Sequence, residues 1–328
     1  MAWAKGKILS SLLAGLSLSC FCTSNVPKSV GRLREVTIIT DYWQQVGETV
    51  EGILCRPIMT PQPEPEFILR VAGFNRFKDL AQLRIVFLLG TGKDSIIRAV
   101  LGSRLDSLSE NECGLFRFPN AWGANQWVLV FVARDSSKLI EGLNAYAQRL
   151  RRTVTEFVLD QMTRATYLSG RDEELSGQIA ESFGFSLDVP KKWLLQDKFG
   201  TENFIYLYSH FPDRSIFVFW SDTVASLNPD SVLTVRDHLT GRYYDGDSAD
   251  RSAVTADTIQ FLGVPCLRLR GVWQNKKQVL GGPFVLYAFV YQTRFFILDG
   301  TVFNPGEKKL SSLFQVEAII RTFVPVSH

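Results

Sequence analysis

The feature that most constrains this chain is the texture of residues 252–303. Four runs, Ser252 to Phe261, Val264 to Val272, Phe284 to Tyr291 and Thr293 to Phe303, are rich in β-branched and aromatic side chains. Gly263 and the Gln292-Thr293 step fall where tight turns are needed. Turns this short join antiparallel neighbours, so the segment must form a sheet, and a sheet must cover its apolar faces. Helices on either side can do so. Asn228-Pro229 begins one through His238, with Asn as cap and Pro in the first turn, and Lys308 to Phe323 forms another. Phe185 to Val189 reads as a further strand, and Asn203 to Ser209 with Ser215 to Ser221 as a hairpin around Pro212-Asp213.

The first half alternates strands and helices. Strands are expected at Glu35 to Thr40, Phe67 to Ala72, Arg84 to Leu89 and Gln126 to Ala133. Helices are expected at Tyr42 to Cys55 and Asp94 to Leu105, with loops over Pro57 to Pro65 and Asp106 to Asn125. The longest helix, Ser136 to Leu168, carries Leu139, Leu143, Tyr146, Leu150, Val154, Phe157 and Met162 at three- and four-residue steps. The class is α+β in two domains. Residues 34–169 should form a ferredoxin-like α/β sheet layer with helices on one side, and residues 170–328 an antiparallel sheet flanked by helices.

The chain is 46% apolar and 21% charged, the balance of a globular protein, and its net charge of +3 gives no reason to expect a nucleic-acid partner. The first residues are a separate matter. Lys5 and Lys7 precede an apolar run, Ile8 to Leu18, too short to span a bilayer. Leu16-Ser-Leu-Ser-Cys20 then resembles a lipobox, with Ser17 standing where Leu is commoner. Residues 1–19 read as a lipoprotein signal peptide, Cys20 as the acylated N-terminus and residues 20–33 as a tether of at most about 40 Å. One acyl chain anchors only marginally and two or three hold firmly, so the membrane is the expected partner. Phe21 follows Cys20 in place of an inner-membrane Asp, and no acidic cluster comes after it. That places the chain at the outer membrane, facing the periplasm. Buried thiols are expected for the remaining cysteines; a disulfide, if formed, would first be sought between Cys55 and Cys113.

Several segments carry a resemblance. Leu269-Arg-Gly-Val-Trp273, Leu280-Gly-Gly-Pro-Phe-Val-Leu-Tyr287, Asp299-Gly-Thr-Val-Phe303 and Val316-Glu-Ala-Ile319 resemble the DUF4837 family. So do Ile39-Thr-Asp-Tyr-Trp43, the proline loop, Phe183 to Pro190 and Val235-Arg-Asp237, which extends the resemblance over nearly the whole mature chain. It implies an uncharacterised envelope lipoprotein of Bacteroidota or related bacteria, and no reaction. The Phe185-Ser-Leu-Asp-Val-Pro-Lys-Lys-Trp193 opening of the second half also looks like a PsbP/Mog1-like α-β-α sandwich.

Motifs for chemistry are weak. Gly90-Thr-Gly-Lys-Asp94 follows a strand and precedes a helix, but Phe87 and Asp94 stand where a phosphate loop needs Gly and Ser or Thr. His210, His238 and His328 have no metal spacing, no GxSxG elbow exists, and no cofactor motif is present. The acid-rich stretch from Asp222 to Asp250 includes Asp245-Gly-Asp247, a fragment of a calcium loop without its later ligands. Gly281-Gly282-Pro283 permits a close backbone approach and blocks pairing. Trp273 and Tyr287 flank it on adjoining strands, and Arg270 alternates with apolar neighbours. Should Arg236 and Asp237 reach that end of the sheet, an aromatic and charged surface for a ligand or partner results; otherwise these are core aromatics and an Arg–Asp pair. The expected function is a non-enzymatic binding or assembly protein of the envelope, its partner an envelope protein or small ligand. The rival is an envelope hydrolase acting on cell-wall or glycan substrate. Replacing Cys20 by Ala should abolish incorporation of radiolabelled palmitate and release the chain from membrane pellets; labelling that persists would remove Cys20 as the anchor.

Overall fold

The computed structural model describes residues 27–109, 113–196, 202–223, 226–244 and 246–326. The expected signal peptide, Cys20, Cys22, the start of the expected tether, Asp245 and His328 lie outside the described residues.

The first half is a five-stranded sheet. Its strands are β1 (Glu35–Ile39), β2 (Ile68–Ala72), β3 (Ile85–Thr91), β4 (Cys113–Pro119) and β5 (Trp127–Ala133), in spatial order β2-β1-β3-β5-β4. The α/β layer is as expected, but its connectivity is not ferredoxin-like. β2, β1, β3 and β5 run parallel, and only β4 pairs antiparallel, with β5. Parallel neighbours need crossovers, and α1 (Trp43–Leu54) and α2 (Ser95–Leu101) lie in them. Helices also cover both faces of the sheet instead of one. α1 and α3 (Leu139–Thr166) pack on Val36, Ile38, Phe87 and Phe131, while Ile97 and Leu101 of α2 pack on Val86, Leu88 and Val130 behind. Edge strand β4 occupies what reads in sequence as loop, because Gly114 and Pro119 interrupt a short, half-exposed alternation. The tether is also shorter than its composition implies. Ser29 N–H donates to Ala124 O (2.9 Å) and Val30 N–H to Gln82 O (3.1 Å), so the chain is bonded to the body well before residue 33.

The second half follows α4 (Glu173–Phe183), whose N-terminus Asp172 caps through Leu175 N–H (3.0 Å) and which Gly184 ends in the left-handed region. Its sheet contains β6 (Leu194–Gln196), β7 (Phe204–Ser209), β8 (Asp213–Ser221), β9 (Ser248–Ala249), β10 (Thr255–Phe261), β11 (Val264–Asn275), β12 (Leu280–Tyr291) and β13 (Arg294–Phe303). The order is β9-β11-β12-β13-β8-β7-β6, with β10 sharing the outer edge of β11, and all pairings are antiparallel. α5 (Pro229–Tyr243) covers one face and α6 (Leu310–Ile320) the other, an α-β-α sandwich.

The halves share one core. The stripe of α3 is buried at Leu139, Leu143, Leu150, Val154, Phe157 and Met162, and α3 packs against α6. A carboxylate from the first half also caps α6. Glu64, in the proline loop, accepts from Lys309 N–H (2.7 Å) and Leu310 N–H (3.2 Å), two amides that a helix start leaves unsatisfied. Cys55 and Cys113 are not joined: the Cys55 thiol lies on Phe67 O and the Cys113 thiol on Lys138 O, both at 3.6 Å. Among the described residues no helix is long and apolar enough to cross a membrane.

Beneath α6 sits a buried charge. Glu317 accepts from Arg270 (2.8 Å), Arg268 (3.3 Å) and the Tyr287 hydroxyl (2.9 Å). Burial alone would raise its pKa; the two guanidinium groups and the hydrogen bonds outweigh burial and hold it at about 2. The ordinary glutamate value is 4.5, so the folded value is the lower one. Its contribution is therefore complete above that pH and drains away as pH falls towards 2. Glu317→Gln should lower the unfolding free energy at neutral pH by about 3–5 kcal/mol, since buried Arg270 loses its counter-charge and Arg268 is left with Asp257 alone. In urea titrations the gap between wild type and variant should shrink by more than half by about pH 3; a gap independent of pH would refute the ionised cluster.

Candidate functional site

Strand parity sorts the residues that the sequence groups together. Arg270 and Tyr287 point to the α6 face and belong to the Glu317 cluster. Trp273 and Gly282, directly opposite each other on β11 and β12, share the α5 face with Phe284 and Leu286. One pocket holding all of them is thus excluded by the alternation of a pleated strand, which sends Arg270 and Trp273 to opposite faces.

Arg236 reaches the sheet but does not line a surface. It is fully buried, lies over the Phe284 ring (4.1 Å), and donates to Asp299 of β13 at 2.7 and 3.4 Å. Asp299 is likewise fully buried. Burial pushes its pKa up, and the single arginine offsets only part of that, in contrast to Glu317 with its three donors. Asp237 faces the next segment, accepting from Ala249 N–H (2.8 Å) and Arg251 (2.9 Å).

Gly281, Gly282 and Pro283 lie inside β12 and not in a turn. They pair with Gln274, Trp273 and Val272, and the pairing of β12 with β13 starts one residue later, at Phe284 with Thr301. Pro283 therefore stands where the second ladder stops, consistent with its missing N–H. A Cβ on Gly282 would lie 1.9 Å from Val302 O, and one on Gly281 would lie 2.9 Å from Trp273 O. Only glycine lets β12 pass so close, and the indole N–H of Trp273 then reaches Val302 O (3.3 Å).

At this end of the sheet, on the α5 side, the described residues form an open cleft in two lobes of about 430 and 220 Å³. Tyr206, Tyr244, Asp247, Trp273 and Leu280 border both lobes. β7 supplies Phe204, Tyr206 and Tyr208 from one face of the strand, and Tyr206 and Tyr208 lie nearly parallel at 5.5 Å. Tyr243 stacks on Phe204 at 4.1 Å, and Tyr244 meets Tyr206 edge-on at 4.9 Å. Asp247 accepts from Asn275 Nδ2 (2.8 Å), Arg242 pairs with Glu202 (2.7 Å), and His210 with Asp213 (2.8 Å). Burial, with Glu202 adding to it, pushes the Tyr243 hydroxyl up to about 12, and burial also raises Tyr206 and Tyr244. These hydroxyls are therefore neutral at physiological pH. Among the described residues no serine or cysteine hydrogen-bonds to His210. Of the residues grouped in sequence as a ligand or partner surface, Trp273 alone lines the cleft; His210 and Asp247, weighed in sequence as metal ligands, line it as well. The signal for the rest is the spacing of Phe204, Tyr206 and Tyr208, alternate aromatics of which two carry a polar tip.

The other motifs resolve locally. Asp94 accepts from Thr91 N–H (2.6 Å) and Thr91 Oγ1 (3.0 Å), so its own carboxylate fills the turn after β3 that a phosphate would need. In the acid-rich stretch Asp222 pairs with Arg294 and Asp250 bonds Ser252 N–H.

Residues 172–322 match a domain of unknown function, DUF4837. The second half is thus similar to the DUF4837 family. Residues 29–167 match a different domain of unknown function, DUF8532, so the DUF4837 likeness begins at the start of α4 and does not cover the first half. No curated protein matches the sequence. A Bacteroides thetaiotaomicron crystal structure is similar over 44% of this chain and 46% of that one, at 16% identity and a TM-score of 0.29. The present chain thus spans about half the length of that protein. The solution structure of cyanobacterial PsbP from Synechocystis is similar over 43% of this chain and 86% of its own, at 11% identity and a TM-score of 0.30. The Saccharomyces cerevisiae Ran-binding protein Mog1p is similar over 44% and 91%, at 14% identity and a TM-score of 0.30. The fold of the DUF4837 region rests on its own strand order and layers.

Within the DUF4837 region the Arg236–Asp299 pair is read as a structural element. Removing one partner by Asp299→Asn or Arg236→Met should cost about 3–5 kcal/mol, because the other is left buried and uncompensated. The double replacement Arg236→Met with Asp299→Leu should recover most of that loss in a urea-unfolding double-mutant cycle. A double variant as unstable as the sum of the singles would contradict this.

Proposed function

We propose that this chain is a lipid-anchored cell-envelope protein that holds a ligand, without transforming it, in the cleft under the C-terminal end of α5. The observation that carries the reading is the cleft itself. Its aromatic walls are fixed by stacking, and the charged groups around it are each engaged by a neighbour: Asp247 by Asn275, Glu202 by Arg242, Asp213 by His210. His210 with Asp213 has the form of a base and its orienting carboxylate, but among the described residues no serine or cysteine hydrogen-bonds to His210 to serve as its nucleophile. Anchoring rests on Cys20 and on the lipobox before it. In this reading the acyl chains hold the protein on the outer membrane, its body facing the periplasm, and an envelope protein or small molecule visits the cleft.

The test is site-specific photocross-linking in living cells. A benzophenone side chain at Gln278, which borders the larger lobe, should give an adduct that the same group at Glu156, on the exposed side of α3, does not. Equal labelling at both positions, or none at Gln278, would overturn the assignment of the cleft as the binding site.

A further inference from the structure

We infer that the cleft takes an uncharged oligosaccharide. This rests on the reading of the cleft as a binding site and adds the chemistry of what binds there.

Charge excludes the simplest alternatives. An anion would call for arginines free to face it, but Arg242 is paired with Glu202 at 2.7 Å, and Arg214, at the smaller lobe, donates to Gln315 Oε1 (2.8 Å) and Ser209 Oγ (3.1 Å). A quaternary ammonium would call for an aromatic cage closed on an uncompensated carboxylate. Asp247 instead accepts from the Asn275 amide, and Tyr206 and Tyr244 are packed edge-to-face against each other with no gap between them. Each acid at the rim meets a base or an amide donor, so the cleft presents dipoles more than net charge.

The lining then matches a sugar on two counts. A pyranose ring has a face of C–H groups that is apolar and weakly positive, and this complements the negative face of an aromatic ring. Tyr206, Tyr208 and Tyr243 are only partly buried, and each belongs to the lining. Its hydroxyls both donate and accept, which suits amides that do the same. Gln196 and Gln278 supply two such groups along the larger lobe, while the Asn275 amide is committed to Asp247 and to the Lys277 and Gln278 N–H groups. Trp273 has its N–H committed to Val302 O and offers apolar surface only.

Length argues for several linked rings. The lining runs from β7 to β11, across β8, β13 and β12. Four strand spacings make roughly 19 Å. The two lobes share a wall, so neighbouring sugar units would occupy neighbouring depressions.

The experiment titrates the full-length chain, in a detergent without a sugar headgroup, with three tetrasaccharides: β-1,4-linked N-acetylglucosamine, cellotetraose and maltotetraose. Choline chloride and inorganic phosphate are the charged probes, and isothermal calorimetry with saturation-transfer NMR is the readout. At least one tetrasaccharide should bind, more tightly than its disaccharide. Tyr208→Ala should weaken it about tenfold, the size of one lost aromatic contact, with an unchanged melting temperature. Gln278→Ala, on an exposed turn and without bearing on folding, should weaken it by a smaller factor. Absence of binding by all three sugars at millimolar concentration overturns the inference, as does binding of choline or phosphate in their place, or sugar binding that neither variant alters. If the sugars fail while the Gln278 cross-link stays specific, the cleft remains the site and only the ligand class falls.

Discussion

The arrangement of this protein depends on how helix α6 is held. Seven of its eleven residues are apolar and eight are buried, and the chain encloses it between the second sheet and helix α3 of the first half. Enclosure leaves the first amides of the helix without water, and Glu64 supplies the missing acceptor from the other half. Phe314 continues the same logic one turn on. Arg34 of the first half and Arg270 of the second lie over its ring at 5.7 and 5.8 Å. Arg34 in turn donates to Glu66 O (3.0 Å), and Arg151 of α3 binds the Glu66 carboxylate at 2.7 Å. The halves match different domain families, yet the boundary between them is built like an interior.

The second sheet is loaded with charge on both faces, and the two faces solve the problem differently. Under α6, one carboxylate meets two guanidinium groups and a phenol, and ionisation is favoured. Under α5, one carboxylate meets one arginine, and burial dominates. The first arrangement ties β11 and β12 to α6. The second ties β13 to α5. Both helices are thus fixed to the sheet at named points, and the cleft lies beyond the end of α5, where its cover runs out. A rigid frame with an uncovered aromatic end is what a binding site needs, because little ordering then remains to be done on ligand capture.

Much of this fold was legible in the sequence. The long strands β11, β12 and β13, the cap at Asn228, and the stripe on α3 follow from turn chemistry and periodicity, which are local. What was not legible is non-local. Whether Ile38 and Phe87 lie on parallel or antiparallel strands depends on where the crossover helices deliver the chain, and nothing in the strands records it. Edge strand β4 is half exposed, so its alternation is weak. The grouping of Arg270, Tyr287 and Trp273 into one surface failed on parity, although parity could have been counted: Arg270 and Trp273 are three residues apart on one strand and must oppose each other. Glu317 and Asp299 carried a signal of their own, each the single carboxylate of a mainly apolar element.

The cleft was missed for a reason that distinguishes binding surface from core. Strand β7 reads Phe204-Ile-Tyr-Leu-Tyr-Ser, and Ile205 and Leu207 point into the core shared by the two halves. On its other face the order is Phe204, Tyr206, Tyr208, running from fully buried to partly exposed as the strand approaches its turn at the cleft end of the sheet. Further across the same sheet, β12 has Phe284, Leu286 and Ala288 on that same face, fully buried. Period and hydrophobicity treat the two strands alike. The difference is two phenolic oxygens, which have little place in a dry core because each must find a partner. Where tyrosine replaces phenylalanine at alternate positions towards one end of a strand, the sheet is leaving its helical cover, and a surface that can both stack and hydrogen-bond begins there.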